Sequence, residues 1–213
     1  MKKLLTGLLA AVALVAGMLA AAIPASAAPA PGLWTTEAPL VQDYVDGRSI
    51  NLGMKFKANK PGAVTGIKFY KGAKNVGAHT GALWSSTGVK LAAVTFSNES
   101  PSGWQTAALP APVTLVVGQT YTVSYKSPLG VFARDAGYFS GRTIDSADGA
   151  LSTVAGSTGS YRYGSSDAFP TSSRGDANYW VDVAFQADAP AVITPAPDPV
   201  IVPPPAPTPG MVC

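Results

Sequence analysis

The chain has 213 residues, with 15 Lys and Arg against 12 Asp and Glu, one His and one Cys, and a formal net charge of +3. Charged residues make up only 13% and form no basic cluster, so the electrostatic footprint of a nucleic-acid binder is missing. A single histidine and a single cysteine cannot supply the usual multi-ligand His/Cys metal sites.

In chain order, Lys2 and Lys3 precede the apolar run LLTGLLAAVALVAGMLAAAI, which ends at Pro24 and the small-residue stretch Ala25 to Ala27. This layout predicts a secretory signal peptide over residues 1–27, cleaved after Ala27. An uncleaved anchor is the alternative, since the run is almost long enough to span a bilayer. Cleavage leaves 13 basic against 12 acidic side chains, so the pI near 9.0 says little about partners. A weakly charged, Gly- and Thr-rich surface outside the cell suits an uncharged partner. No later segment is apolar enough to cross a membrane, so no membrane partner is expected once the signal is gone.

Residues 28–50 read as a lead-in, and residues 51–187 as one domain. VTGIKFY (Val64 to Tyr70) alternates Ile67 and Phe69 against Lys68 and Tyr70, and YTVSY (Tyr121 to Tyr125) alternates Tyr121, Val123 and Tyr125 against Thr122 and Ser124. NYWVDVAF alternates Tyr179, Val181, Val183 and Phe185 against Trp180, Asp182 and Ala184. A period of two rich in aromatic and β-branched residues is the strand signal. Turn signals such as KGAKN, SSTG, NESPSG and LVVGQT separate these runs, and no stretch after the signal has a helical period with caps. The expected fold is all-β: a two-sheet antiparallel sandwich of jelly-roll type. With no internal disulfide, a hydrophobic core must hold it together. From Asp188 onward prolines recur every few residues, which favours an extended spacer, read here as a stalk rather than a disordered end. Cys213 is then a free or intermolecular thiol, or marks a chain cut at a linker.

The long block GIKFYKGAKNVGAHTGALWSSTGVKLAAVTFSNESPSGWQ (Gly66 to Gln105), with VVGQTYTVSY, GYF, YRYG and NYWVDVAF behind it, resembles the bacterial domain of unknown function DUF4082 over about Asn51 to Phe185. The resemblance implies a secreted all-β module of the kind often attached to carbohydrate-active or cell-surface proteins. It implies no established activity.

Catalytic equipment is sparse. A serine hydrolase needs a base between nucleophile and orienting acid; His79 is the only imidazole, and no G-x-S-x-G elbow occurs. Glycoside cleavage needs two carboxylates, but the chain has only two glutamates, Glu37 and Glu99, leaving aspartates for the work. The expectation is a module without catalysis. His79 sits in NVGAHTGALW between Gly77 and Gly81, as either an ordinary loop residue bonded to backbone or a donor to a ligand hydroxyl beside Trp84. Among the aromatics, Trp104 and Trp180 read as core, while Trp84, Tyr138, Tyr161 and Tyr163 lie near loops where a sugar ring could stack. The expected ligand-binding set is Asn75, His79, Trp84, Arg134, Tyr138 and Tyr163, with a polysaccharide or cell-wall glycan as partner. A structural or adhesive module contacting a cell-surface protein is the alternative, and a two-carboxylate glycoside hydrolase the third reading. RGD at Arg174 to Asp176 is too short to carry meaning, and NES at Asn98 to Ser100 reads as a turn. DSADG at Asp145 to Gly149 lacks the alternating ligands and terminal Glu of an EF-hand loop. A structural calcium there is the one cofactor candidate.

Overall fold

The computed structural model describes residues 31–189; the signal-like segment, Cys213 and nearly all of the proline-rich tail lie outside them. Every element among the described residues is a strand: β1 Tyr44–Val45, β2 Ile50–Ala58, β3 Gly62–Lys71, β4 Thr80–Ser85, β5 Lys90–Thr95, β6 Gly103–Leu115, β7 Thr120–Ser127, β8 Val131–Phe132, β9 Leu151–Thr153, β10 Gly159–Tyr163 and β11 Val181–Ala187. A six-stranded sheet runs β10-β2-β7-β4-β5, with β9 pairing the far end of β2. A second sheet runs β11-β3-β6, and β1 pairs β8 in a short ribbon; all pairings are antiparallel. The protein is an all-β sandwich, as expected, although six strands against three differs from the paired four-stranded sheets of a jelly roll.

Period-two alternation explains which sheet faces meet. Leu52, Met54 and Phe56 of β2, Leu83 of β4, and Tyr121, Val123 and Tyr125 of β7 point inward. They meet Val64, Ile67 and Phe69 of β3 and Val181, Val183 and Phe185 of β11. Phe69 stacks on Tyr125 across the gap, with ring centroids 4.4 Å apart. Buried aromatics in such offset contacts contribute beyond their area alone. β6 lies at the edge of its sheet, where Pro110 and Pro112 leave no ladder donor missing.

Neither outer face is open in the way the alternation suggests. On the three-stranded sheet, Lys68 and Asp182 are buried as an ion pair 2.9 Å apart. Asp182 also accepts from the backbone N–H groups of Leu33 and Trp34, and Lys68 donates to the Trp34 carbonyl. Asp135 does the same further on, accepting from the Leu40 and Val41 N–H groups and from the Trp180 indole. Two buried carboxylates thus pin the segment before β1 across the sheet, and Leu33 and Trp34 join the core. The lead-in is part of the folded unit, which begins well before residue 51. The predicted strand NYWVDVAF also starts later than its alternation suggests. Asn178 Oδ1 accepts from the Trp180 N–H, and Trp180 takes a positive φ of 54°, which swings its indole onto Trp34 before β11 begins.

Candidate functional site

An open cleft lined by aromatic and charged side chains lies where the inner face of the six-stranded sheet runs past its cover. Tyr161 and Tyr163 of β10 pair with Leu52 and Ile50 of β2, so their side chains share the core-facing side. Beyond Ile50, the cover is the β1–β8 ribbon, in which Tyr44 pairs with Phe132. Together with Asp46, Arg134, Arg174 and Tyr179, these residues line a shallow cleft that opens to solvent. Ile50, Phe132 and Tyr179 are buried and form its inner wall. Tyr44 and Tyr163 form its rim, 37% and 39% exposed.

Local sequence holds that rim. In YVDGR, the ribbon ends and the chain turns at Gly47, with the Asp46 N–H bonded to the Gly130 carbonyl at 2.8 Å. Gly130 is required twice over: its φ is +68°, and a side chain there would meet the Arg48 backbone at 2.4 Å. The turn sends Arg48 back so that its Nε lies 2.9 Å from Asp46 Oδ1 and its guanidinium 3.8 Å from the Tyr163 ring centre. The Tyr163 hydroxyl donates to Asp46 Oδ2 at 2.7 Å. The Arg48 hydrogen bond, followed by that of Tyr163, holds the Asp46 carboxyl below the usual carboxylate range. The Asp46 carboxylate, in turn, pushes the Tyr163 phenol up. Across the pocket, the Arg134 guanidinium lies 4.9 Å from the Tyr44 ring centre. Burial pushes the Tyr179 phenol up to about 12, against the opposing charges of Arg134 and Arg174.

Of the six residues expected to bind ligand, Arg134 and Tyr163 therefore meet in one pocket. The other four do not join them. Asn75 and His79 are fully buried, which removes them from any ligand surface. His79 Nδ1 lies 2.9 Å from Glu99, which also pairs with Lys71, and Nε2 lies 2.9 Å from the Asn75 side-chain amide. Burial is the main reason that the imidazole titrates below its ordinary range, outweighing the Glu99 carboxylate. A neutral ring donating from Nδ1 to Glu99 needs a donor at Nε2. Turning the Asn75 amide so that its NH₂ faces Nε2 and Ser127 Oγ supplies one. That assignment gives partners to Asn75 Nδ2, which otherwise has none. Neither sequence reading of His79 anticipated partners that are all side chains.

Trp84 is 5% exposed, so it cannot serve as a platform. It points from β4 to the outer face of the six-stranded sheet, and residues 164–172, a strap that leaves β10 at Gly164, cross over it. The strap is fastened by Asn51 Nδ2 to the Ser166 carbonyl at 3.0 Å, by Thr80 Oγ1 to Asp167 at 2.6 Å and by Lys126 to Asp167 at 3.2 Å. Phe169 packs on the Trp84 ring, and the indole N–H donates to Ser124 Oγ at 2.8 Å. Pro170 sits so close to Gly53 that a side chain there would meet it at 2.7 Å. Tyr138 belongs to a different aromatic cluster, its hydroxyl accepting from the Trp34 indole and its ring 5.5 Å from that of Trp180. Trp180 is core as expected, whereas Trp104 is only half-buried and donates to the Glu37 carbonyl. The DSADG stretch is a tight turn in which Asp148 accepts from Ser146 Oγ and from the Ala150 N–H. Among the described residues no three His, Cys, Asp or Glu side chains converge to hold a metal ion.

Sequence reasoning passed over Tyr44, Asp46 and Arg48, and met Tyr161, Arg174 and Tyr179 without placing them in a site. The available signal was YRY beside a strand end, with i and i+2 on one face. The fold and the pocket together define an all-β sandwich with an arginine-flanked tyrosine cleft at one end. Residues 36–181 match the family described as a domain of unknown function, DUF4082, and the chain belongs to that family. No curated protein matches the sequence.

Proposed function

We propose that the protein is an exported module that binds carbohydrate, without catalysis, in the pocket rimmed by Tyr44 and Tyr163. The observation that carries this reading is the joining of partly exposed phenol rings with guanidinium and hydroxyl donors in one open cleft. A sugar offers an apolar face of C–H groups to such rings and hydroxyls to the donors at their edge, the mix of apolar wall and few polar groups that small-ligand sites use. The absence of catalysis is supported by the pocket's acid inventory. Asp46 is the only carboxylate in its lining, and it is committed to Arg48 and Tyr163. Cleaving a glycosidic bond takes two carboxylates flanking it. Export is supported by the charged, apolar and small-residue pattern of residues 1–27.

Affinity electrophoresis through gels containing a panel of plant, microbial and animal polysaccharides tests the reading. Retardation of the wild type by at least one glycan, abolished in the Tyr44→Ala/Tyr163→Ala variant, is the expected result. Free migration in every gel, or retardation indifferent to both rings, removes it. A second reading, a cell-surface module that contacts another protein, draws on Leu40, Val45 and Leu129, which are exposed to 92%, 65% and 55%. Isolated apolar side chains are normal on any surface, so the pocket is the stronger support.

A further inference from the structure

Resting on the glycan reading of the same pocket, we infer that its ligand is an acidic sugar, whose carboxylate sits between Arg134 and Arg174 over the Tyr179 phenol. The charge inventory carries this. Of the three arginines at the pocket, only Arg48 has a carboxylate of its own, Asp46. Arg134 and Arg174 take part in no ion pair among the described residues. With Asp46 neutralised by Arg48, the cleft keeps two uncompensated positive charges in a protein that is otherwise weakly charged. Both guanidiniums line the same cleft as the Tyr179 phenol.

That phenol stays protonated at physiological pH and donates its proton to no protein group among the described residues, so it remains a donor for a ligand. Two guanidinium forks and one O–H lining a single cleft offer the donors that an anion's lone pairs need. Arginine is the side chain that meets a planar carboxylate with two parallel N–H bonds. The neutral rings of Tyr44 and Tyr163 then take the sugar's C–H face, and the arginines take its acid group. A neutral glycan would leave the two guanidiniums beside hydroxyls, with no counter-charge gained.

Isothermal titration calorimetry of the full mature chain separates the possibilities. The probes are oligogalacturonate, the same oligomer as its methyl ester, a neutral β-glucan oligomer and a sulfated dextran. The expected result is that oligogalacturonate binds about tenfold or more tightly than its ester. Arg174→Gln and Arg134→Gln should each reduce acid binding by about fivefold to tenfold and ester binding by a clearly smaller factor, so that the preference for acid over ester narrows. Arg174 is exposed, so its variant keeps the fold even if Arg134→Gln does not, and a melting curve checks both.

Equal binding of acid, ester and glucan, indifferent to Arg174 but lost in Tyr44→Ala/Tyr163→Ala, would overturn the acidic ligand while the ring platform stands. Sulfated dextran matching oligogalacturonate with the same arginine dependence would replace the carboxylate by charge density alone. No heat with any of the four probes would overturn the acidic assignment, and only free migration in the wider gel panel would remove the platform with it.

Discussion

Trp84 and Tyr163 stand on strands of the same sheet, each with a cation over its ring, Lys90 at 5.1 Å and Arg48 at 3.8 Å. One is sealed and the other half-open, and a single stretch of chain makes the difference. After Tyr163 the chain turns at Gly164 and runs back over the outer face, so the strand that presents Tyr163 at the end of the sandwich also begins the strap that buries Trp84. The two faces also differ in their covers. The outer face is covered by a strap tied down by side-chain hydrogen bonds at Asn51, Thr80 and Lys126. The inner face is covered by a whole sheet, except at the end where only the β1–β8 ribbon extends over it. An aromatic on a strand of this sheet stays open to solvent only where neither cover reaches.

Substitution at Trp84 breaks the comparison most forcefully. Trp84→Ala removes a ring packed under Phe169 and orphans the buried Ser124 hydroxyl. A loss of about 3–5 kcal/mol is expected from urea unfolding, in line with large-to-small core changes. Glycan binding by the folded fraction should be unchanged, since the ring does not line the pocket. A Trp84→Ala protein of wild-type stability would show that the strap does not seal the face.

Asn75 comes next. Asn75→Ala deprives His79 Nε2 and Ser127 Oγ of a shared partner inside the core. A cost of about 2–3 kcal/mol is expected, because unpaired buried polar groups carry their full desolvation penalty. Nitrogen NMR of His79 sharpens the point: the neutral ring with its proton on Nδ1 is expected, and a doubly protonated ring at pH 7 would refute the turned Asn75 amide.

How much of this was legible in the sequence differs between strands and site. Ile67 and Phe69, and Tyr121, Val123 and Tyr125, declared their face because alternation is local and the pleat enforces it. The fate of the opposite face was not local. Lys68, read as outward, is buried by Asp182 and by residues more than thirty positions earlier. Trp84 and His79 looked like loop and strand-end residues beside glycines, and only the strap and the Glu99 pairing, both brought in by tertiary contacts, bury them. Tyr44 and Tyr163 lie more than a hundred residues apart, joined through Asp46, Arg48 and the β2–β10 register, so no spacing rule could have paired them. Of the expected site, Arg134 and Tyr163 are the part that geometry unites.

The pH dependence distinguishes the buried histidine from the exposed tyrosine. His79 titrates below its ordinary 6.5 in the fold, so between that value and the lower folded one only the unfolded chain takes up the proton. Stability is therefore full above pH 6.5 and falls as pH drops through this window, each tenfold displacement of the protonation constant being worth about 1.4 kcal/mol. Asp167 adds a later loss: burial pushes its carboxyl up, but the bonds from Thr80 and Lys126 outweigh this and leave it below its ordinary 3.8. Urea midpoints measured across this range should show the first decline in wild type and lack it in His79→Gln. A decline that survives the substitution would assign it to other groups.

Tyr163 is expected to give the smallest change in stability and the clearest change in binding. Its hydroxyl bond to Asp46 and its contact with Arg48 are both at the surface, where such pairs contribute between nothing and about 1 kcal/mol. Tyr163→Phe keeps the ring and frees Asp46 to pair with Arg48 alone, so stability should move by no more than about 0.5 kcal/mol. Stacking should survive in that variant, whereas Tyr163→Ala, which removes the ring as well, should lose retardation in the glycan gel that stops the wild type. The pair of variants separates ring from hydroxyl: if Phe fails as Ala does, the phenol oxygen rather than the aromatic face contacts the sugar, and the rim acts through Asp46 and its hydrogen bonds. If neither fails, the open end of the sandwich is no more a binding surface than the strapped face around Trp84.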